Sequence, residues 1–259
     1  MIDLEPGDTS DRQSVLNWTE DRGWETADGR IGEETALVLY VDRVELATLM
    51  CTPEKLNFLI AGFLRSEGFI ESLNDVALMR VCDEEQVADV RLVRPHEPNG
   101  RRILTSGCGG GVTFDEGTQA VPVTSETRVS PAQLLRCMRE LQHAFGRAEQ
   151  GGMHISALAD GEKLLAIARD VGRHNTLDKI WGCCLFGDID TRGRILLTTG
   201  RLSSEMVVKS AKMGVPIAAS LNSPTSLAIE LGNRLGVTIV GYVRGTRLSV
   251  YSHPERLGG

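Results

Sequence analysis

The chain has 259 residues, of which 41% are hydrophobic and 24% are charged, and its formal net charge is −7. This length and this apolar content exclude a wholly disordered chain and suit one large domain or two small ones. The acidic balance disfavours general nucleic-acid binding. No apolar run reaches the roughly 18 residues of a membrane helix and no secretory signal is visible, so a cytoplasmic protein is predicted.

Residues 1–30 are predicted to form a polar, disordered tail. Asp, Glu, Thr, Ser and Gly dominate this stretch, and no periodicity is sustained. Trp18 and Trp24 interrupt the polar composition, so docking of part of the tail on the body is the alternative.

A small α+β region is predicted over residues 31–125. A strand pair comes first, followed by a helix with Thr52 as its predicted N-cap, Pro53 in its first turn and Gly68 after its end. The strand-like runs of this region are Thr35–Leu49 (a pair), Val76–Cys82, Val87–Val93 and Arg101–Thr105.

An α/β domain is predicted over residues 130–259. Ser130, Pro131 and Gln133 form a capping-box pattern that begins its first helix. Strands and helices then alternate with short connections, which implies a largely parallel or mixed sheet covered by helices. The predicted strands are His154–Ala159, Lys163–Arg169, Arg194–Thr198, Pro216–Ser220, Val237–Val243 and Leu248–Tyr251, and the later helices are Asn175–Phe186, Ser203–Met213 and Ser223–Leu235.

Four polar segments of this domain each follow an apolar run, at positions where α/β sheets bind ligands. They are residues 168–175 (ARDVGRHN), 198–205 (TTGRLSSE), 220–226 (SLNSPTS) and 241–247 (GYVRGTR). Small hydroxyls, Asn side chains, helix N–H groups and arginines suit an anion such as phosphate or pyrophosphate. Taken singly, each segment is equally well explained by helix caps and a solvated arginine.

The six cysteines form neither a C-x-x-C pair nor a zinc-ligand spacing, and reduced thiols are expected. Cys108 is singled out because it stands among glycines in residues 106–111 (SGCGGG). Successive backbone N–H groups there can favour a thiolate, which can attack a persulfide donor. The alternative is a flexible glycine turn in which the cysteine is incidental. Core positions are predicted for Cys51, Cys82, Cys137 and at least one of Cys183 and Cys184.

Several long segments together carry a family resemblance. From about Glu34 to Leu257, the chain resembles the FdhD/NarQ family of formate dehydrogenase accessory proteins. The matching segments are LMCTPEKLNFLIAGFLRSEGFI at 49–70, TSGCGGG at 105–111, GGMHISALA at 151–159, ARDVGRHNTLDKIWG at 168–182, and the long run from TTGRLSSE to GYVRG at 198–245.

The resemblance implies a sulfurtransferase-like sulfur carrier that is required for formate dehydrogenase activity. Such a protein accepts sulfur from an IscS-like cysteine desulfurase as a persulfide on Cys108. It passes the sulfur to molybdenum bis(molybdopterin guanine dinucleotide) before that cofactor enters formate dehydrogenase. The implied fold is a cytidine-deaminase-like mixed sheet flanked by helices, without the catalytic zinc. The family's cofactor-binding stretch corresponds to Tyr242, Val243, Arg244, Gly245, Thr246 and Arg247.

Residue chemistry extends the predicted cofactor site beyond that stretch. Arginines can neutralise phosphates by paired N–H donation, and small polar side chains can bond phosphate or base edges. The additional candidates are Arg173, His174, Arg201, Ser203, Asn222 and Ser223. A homodimer is the default expectation, since two-fold dimers are the commonest soluble assembly.

One departure from the family pattern leaves a second function open. Many members have C-G-x-C in the glycine loop, whereas Gly111 stands here at the second sulfur position. A two-thiol mechanism within this loop is therefore excluded, and a relay by one cysteine remains. The alternative is a non-enzymatic molybdenum-cofactor-binding chaperone without sulfur transfer. A zinc hydrolase of the deaminase type is a third reading, which rests on fold analogy alone.

Overall fold

The computed structural model describes residues 10–82, 86–95, 101–104, 112–115, 120–144 and 152–258. The strands are β1 Ser10–Thr19, β2 Gly23–Gly32, β3 Thr35–Val41, β4 Val44–Cys51, β5 Val76–Cys82, β6 Val87–Leu92, β7 Arg101–Leu104, β8 Val112–Asp115, β9 His154–Ala159, β10 Leu164–Asp170, β11 Ile195–Thr198, β12 Ile217–Ser220, β13 Thr238–Arg244 and β14 Arg247–Val250. The α-helices are α1 Leu56–Ser66, α2 Pro131–Ala144, α3 Arg173–Phe186, α4 Ser204–Lys212 and α5 Ser226–Leu235. Short 3₁₀ helices cover Leu73–Asp75 and Pro254–Leu257.

The main body is a six-stranded mixed sheet in the order β10-β9-β11-β12-β13-β14. Strand β9 is antiparallel to both of its neighbours, so β10 runs in the same direction as β11. Strands β12 and β13 follow β11 in parallel, and β14 returns antiparallel. The mixed α/β class predicted from the sequence is therefore confirmed.

Helices cover both faces of this sheet because successive residues of a strand point to opposite sides. Helix α2 packs on one face, where Met138 and Leu141 join a buried cluster with Leu197 of β11. Helices α3, α4 and α5 pack on the other face, in a second cluster that includes Leu196. The cytidine-deaminase likeness stays a prediction.

A smaller four-stranded sheet, in the order β4-β3-β6-β5, forms the N-terminal α+β region. The predicted strand pair is confirmed as β3 and β4, joined through Asp42 and Arg43 at φ 49° and 73°. Two positive φ angles in a two-residue turn suit the twist of a hairpin. The apolar face of α1 is buried against this sheet.

The two parts of the molecule join where α1 crosses α3 with almost no side chains between them. A Cβ added to Gly62 of α1 would lie 1.7 Å from the carbonyl oxygen of Asp178 in α3. A Cβ added to Gly182 of α3 would lie 1.9 Å from the carbonyl oxygen of Phe58 in α1. Both distances are far inside van der Waals contact, so this crossing requires glycine on each helix.

The disordered tail predicted for residues 1–30 is wrong for the part that the structure describes. Strands β1 and β2 form a continuous antiparallel hairpin in which Trp18 faces Trp24. Their side chains stay 59% and 71% exposed. Hairpin hydrogen bonds order this segment without a buried core, which a polar composition does not reveal.

The predicted starts of two helices are also wrong. Helix α1 begins at Leu56 after Lys55, because the Thr52 hydroxyl accepts a hydrogen bond from the backbone N–H of Val171 at 3.2 Å. Helix α5 begins at Ser226 instead of Ser223. The N–H of Thr225 donates to the carbonyl of Leu202 at 3.0 Å, which holds the preceding residues extended, and the Thr225 hydroxyl caps the helix.

None of the helices in the described part of the chain combines the length and the apolar character needed to cross a membrane.

Candidate functional site

The four polar segments predicted as ligand loops meet at one edge of the six-stranded sheet. Strands β10, β11, β12 and β13 all run in the same direction, so their carboxyl ends share that edge. Residues 168–175, 198–205, 220–226 and 241–247 follow or span those four strand ends. The structure therefore brings the four segments together, and we call this set of segments the loop edge.

The first two segments of the loop edge touch through α3 and α4. The Nε2 of His174, in the first turn of α3, lies 3.2 Å from Oγ of Ser203 and 3.0 Å from Oε2 of Glu205. A Cβ added to Gly200 would lie 3.1 Å from Cβ of Arg173 and 3.3 Å from Nδ1 of His154. Because Gly200 has no side chain, Arg173 and the ring of His154 can both lie close to its backbone.

The remaining segments are joined by Asn222 and Arg244. The Asn222 amide donates to the carbonyl of Thr199 at 2.7 Å. The Nε of Arg244 donates to the carbonyl of Leu221 at 2.7 Å, and its Nη2 donates to Oδ1 of Asn222 at 3.0 Å. Each of the four segments therefore contacts the next one, and Asn222 links the segment of Thr199 to that of Arg244.

A buried carboxylate fixes the start of α3. Asp170 is fully buried, and its Oδ2 accepts from Nζ of Lys179 at 2.7 Å and from the backbone N–H of Thr52 at 3.1 Å. Its Oδ1 accepts from the N–H of Gly172 and the amide of Asn175, both at 2.8 Å. Arg173 and His174 therefore emerge from a turn that is anchored on both sides.

Four arginines of the loop edge have no acidic partner among the described residues. Arg173, Arg201, Arg244 and Arg247 form no salt bridge with the parts of the chain that the structure describes. The Nε of Arg173 is buried and has no hydrogen-bond partner there either. Unpaired guanidinium groups on one edge provide the positive potential that an anion requires.

Two ionisable neighbours respond to this environment. Burial and then the positive charge of Arg173 lower the pKa of His154, with His174 and Arg201 acting in the same direction. Burial opposes the ionisation of Glu205, but the hydrogen bond and charge of His174 outweigh it, so the pKa of Glu205 is lowered. His154 is thus held neutral and Glu205 negative.

The hairpin end at 242–247 presents most of its predicted residues to solvent. Tyr242 has a φ of 51° and is 43% exposed. Arg244 and Arg247 face each other as strand partners, with the exposed residues Gly245 and Thr246 between them. Strand alternation buries the side chain of Val243 completely in the core, so the binding role predicted for Val243 stays a prediction that concerns its backbone.

The other predicted residues differ in how free they are. Ser203 is 7% exposed and contacts His174, so its hydroxyl is partly occupied. Arg201 is exposed and Ser223 is half-buried. Cys108 lies outside the described residues.

Burial disqualifies four of the other thiols as nucleophiles. It raises the pKa of Cys51 and of Cys184 to about 12, and it raises the pKa of Cys137 and Cys183 as well. A protonated, enclosed thiol reacts slowly because the thiolate is the nucleophile. The predicted core positions are confirmed for these four, whereas Cys82 is only half-buried.

Sequence reasoning did not single out Asp170, Gly200 or Glu205, although all three lie within the predicted loop segments 168–175 and 198–205. Asp170 ends an apolar strand, which is the available sequence signal for a carboxylate placed at the loop edge. Glu205 stands two residues after Ser203, but its contact with His174 arises only when two loops fold together. Among the described residues, no three His, Cys, Asp or Glu side chains cluster as a metal site.

Fold and site together define the class: a mixed α/β protein with an arginine-rich polar edge at the carboxyl ends of its strands. Comparison with known proteins then identifies the family. The FdhD/NarQ family model matches residues 32–258, and the chain belongs to that family.

Curated relatives and a solved structure agree with this assignment. The chain is 35% identical over 253 residues to the "Sulfur carrier protein FdhD" of Staphylococcus haemolyticus, covering 95% of this chain and 96% of the relative. It is 36% identical to the protein of that name in Bacillus subtilis, covering 88% and 90%. A crystal structure of a proposed formate dehydrogenase accessory protein from Desulfotalea psychrophila superimposes with a TM-score of 0.79 at 26% identity, covering 96% of this chain and 99% of that one.

Proposed function

We propose that this chain is a sulfur carrier for formate dehydrogenase. It takes sulfur from a cysteine desulfurase as a persulfide on Cys108 and delivers it to molybdenum bis(molybdopterin guanine dinucleotide), which is its substrate. The family and the names of the relatives support the sulfur-carrier role. The partners are the desulfurase, formate dehydrogenase and a second copy of the chain.

The observation that carries the proposal is the set of four loop-edge arginines that form no salt bridge with the described residues. A bis-guanine-dinucleotide cofactor presents two pyrophosphates, and bidentate guanidinium groups suit phosphate oxygens. Arg173 and Arg201 lie beside the N-termini of α3 and α4, whose free N–H groups add partial positive charge. Arg244 and Arg247 stand at the other end of the same edge.

The sulfur steps balance without an added oxidant. The Cys108 thiolate attacks the terminal sulfur of the desulfurase persulfide, so one S–S bond forms as another breaks and the desulfurase leaves as a thiolate. Delivery of that sulfur as sulfide breaks the Cys108 S–S bond and takes up two electrons. The metal centre of the substrate supplies them as it is oxidised, and Cys108 returns as a thiolate. No second thiol is required, which accommodates Gly111.

The first test is the persulfide itself. After incubation with a cysteine desulfurase and cysteine, intact mass should rise by about 32 Da, one sulfur atom, on a peptide that contains Cys108. Cys108→Ala should lose this adduct and fail to mature formate dehydrogenase, while Cys82→Ala, which removes a half-buried thiol, should keep both. Full maturation by Cys108→Ala would overturn the sulfur-carrier proposal.

Gly111 favours the second candidate function, a cofactor chaperone that binds without transferring sulfur. Calorimetric titration with GDP tests the shared binding step. Arg244→Ala and Arg247→Ala should each weaken GDP about tenfold, since each removes a charged hydrogen-bond donor. Arg192→Ala, which removes an exposed arginine paired with Asp190, is the matched control. Unchanged affinity would remove the two arginines from the site, and intact maturation with Cys108→Ala would select the chaperone.

A further inference from the structure

A cavity of about 670 Å³ opens at the sheet edge opposite the loop edge. Its walls include residues 189–193 and 211–214, which precede β11 and β12, whereas the loop edge follows those strands. The last turns of α3 also line it. Helix α3 begins at the loop edge with Arg173, and its cavity-lining residues Trp181 and Leu185 follow 8 and 12 positions later, so the two sites lie roughly 12–18 Å apart along the helix.

Of the three cationic residues that line this cavity, Arg192 is paired with Asp190, which leaves Arg65 and Lys212. Both of these also line an adjoining space of about 220 Å³. The guanidinium of Arg65 lies 5.1 Å from the ring centroid of Trp181, and Nζ of Lys212 donates to the carbonyl of Ser66 at 2.7 Å. Neither cation forms a salt bridge with a described residue.

The acidic residues of the lining do not neutralise this pair. Asp190 is bound to Arg192 at 2.8 Å, and Glu71 is exposed at the rim. Burial lowers the pKa of Lys212, with the charge of Glu67 opposing that effect. An anion held beside Lys212 would stabilise its charged form.

Part of the remaining lining suits an apolar body. Trp181, Leu185, Ile189, Met213 and Val121 contribute ring, aliphatic and thioether surface, beside the hydroxyl-bearing residues Thr124, Ser125 and Thr191. The volume lies within the roughly 300–1,000 Å³ typical of small-molecule sites, which combine apolar walls with a few polar anchors.

We propose that this cavity binds a small organic anion, with its carboxylate or phosphate between Arg65 and Lys212 and its flat apolar body against the neighbouring apolar wall. The site is separate from the loop edge and does not depend on the proposed sulfur-carrier function. It gives the protein a second ligand site, on the opposite edge of the sheet from the proposed cofactor site.

The probe for the experiment is 8-anilinonaphthalene-1-sulfonate, an aromatic anion that fluoresces in apolar surroundings. Titration should show one site per chain. Arg65→Gln and Lys212→Gln should each weaken it about tenfold or more, because each removes a charged donor. Lys163→Gln, a change at an exposed lysine outside the cavity, should leave it unchanged. Phenyl phosphate should displace the probe and the uncharged benzyl alcohol should not.

Two further variants keep the test decisive. Val121 is 77% exposed on the rim, so Val121→Trp should fill the entrance without disturbing the core and should abolish binding. The double variant Trp18→Ser/Trp24→Ser removes the exposed aromatic pair of the hairpin and should not change binding. The proposal is overturned if the wild type shows no such site, if all three cavity variants bind normally, if the hairpin variant loses the site, if phenyl phosphate fails to displace the probe, or if benzyl alcohol displaces it.

Discussion

The Oδ2 atom of Asp170 accepts hydrogen bonds from both Nζ of Lys179 and the backbone N–H of Thr52, so a substitution at Asp170 affects both donors. Asp170→Asn would turn an amide NH₂ or a neutral oxygen toward Lys179 and the Thr52 N–H, and would leave the ammonium buried without a counter-charge. Breaking one partner of a buried pair typically costs about 3–5 kcal/mol. We therefore expect urea denaturation to show a loss of about that size in the free energy of unfolding.

The matched control for this change is Asp190→Asn. Asp190 also pairs with a cation, Arg192, but the two side chains are 54% and 81% exposed. Exposed pairs contribute at most about 1 kcal/mol. Equal losses in the two variants would show that burial of the Asp170 pair has no energetic weight.

His154 should make the stability of the protein depend on pH. Its folded-state pKa lies below the ordinary value of 6.5, so the unfolded chain binds more protons in the interval between the two values. Stability from this group is therefore complete above pH 6.5 and declines as the pH falls through the folded pKa. Urea midpoints measured from pH 7.5 downward should fall less steeply in His154→Gln than in the wild type.

His253→Gln is the comparison for the pH experiment, because it removes a histidine that lies beside Glu255 at the surface. If the slope in His154→Gln equals the slopes of the wild type and of His253→Gln, the lowering of the His154 pKa by burial and by Arg173 is wrong.

At the scale of elements, the crossing of α1 and α3 depends on two glycines that face carbonyl oxygens. Gly182→Ala would place a methyl group inside the contact distance of the Phe58 carbonyl, and neither backbone can move without separating the helices. Overpacking costs about 1–3 kcal/mol, and this backbone clash belongs at the upper limit. Thermal unfolding should show a Tm lower by several degrees.

Gly152→Ala serves as the reference substitution. Gly152 has a φ of +75° and open space around it, so its replacement costs only backbone strain, about 1 kcal/mol. A Gly182→Ala protein that is as stable as the reference would mean that the helices have room to separate freely.

The elements that sequence predicts well are those whose signals are local. The capping box at Ser130 and Gln133 is formed as expected, with reciprocal hydrogen bonds of 3.0 and 3.2 Å. Thr52 carries an equally good local signal, yet it bonds to residues more than 100 positions away. Capping preference does not predict that Thr52 bonds to Asp170 and Val171 instead of capping α1. The close approach of the α1 and α3 backbones at Gly62 and Gly182 has no periodic signature in the sequence.

At the scale of the whole molecule, the convergence of the loop edge was predictable and its internal contacts were not. Alternating strands and helices with short connections require parallel neighbours, which places strand ends together. The pairing of Asn222 with Thr199 and Arg244 depends on strand order, and β9 entering between β10 and β11 brings His154 to the edge. No sequence pattern specifies that insertion.

The same long-range contacts bear on the predicted division at residues 31–125 and 130–259. Separate hydrophobic clusters suggest two units, but the α1–α3 crossing, the Asp170 network and the buried Arg169–Glu54 pair at 2.7 Å join them. We expect differential scanning calorimetry to show one transition, with calorimetric and van't Hoff enthalpies equal. Gly182→Ala should broaden or split this transition, because the added methyl group would push α1 and α3 apart where the two units meet. Two resolved transitions in the wild type would instead mean that each unit is stable without the other.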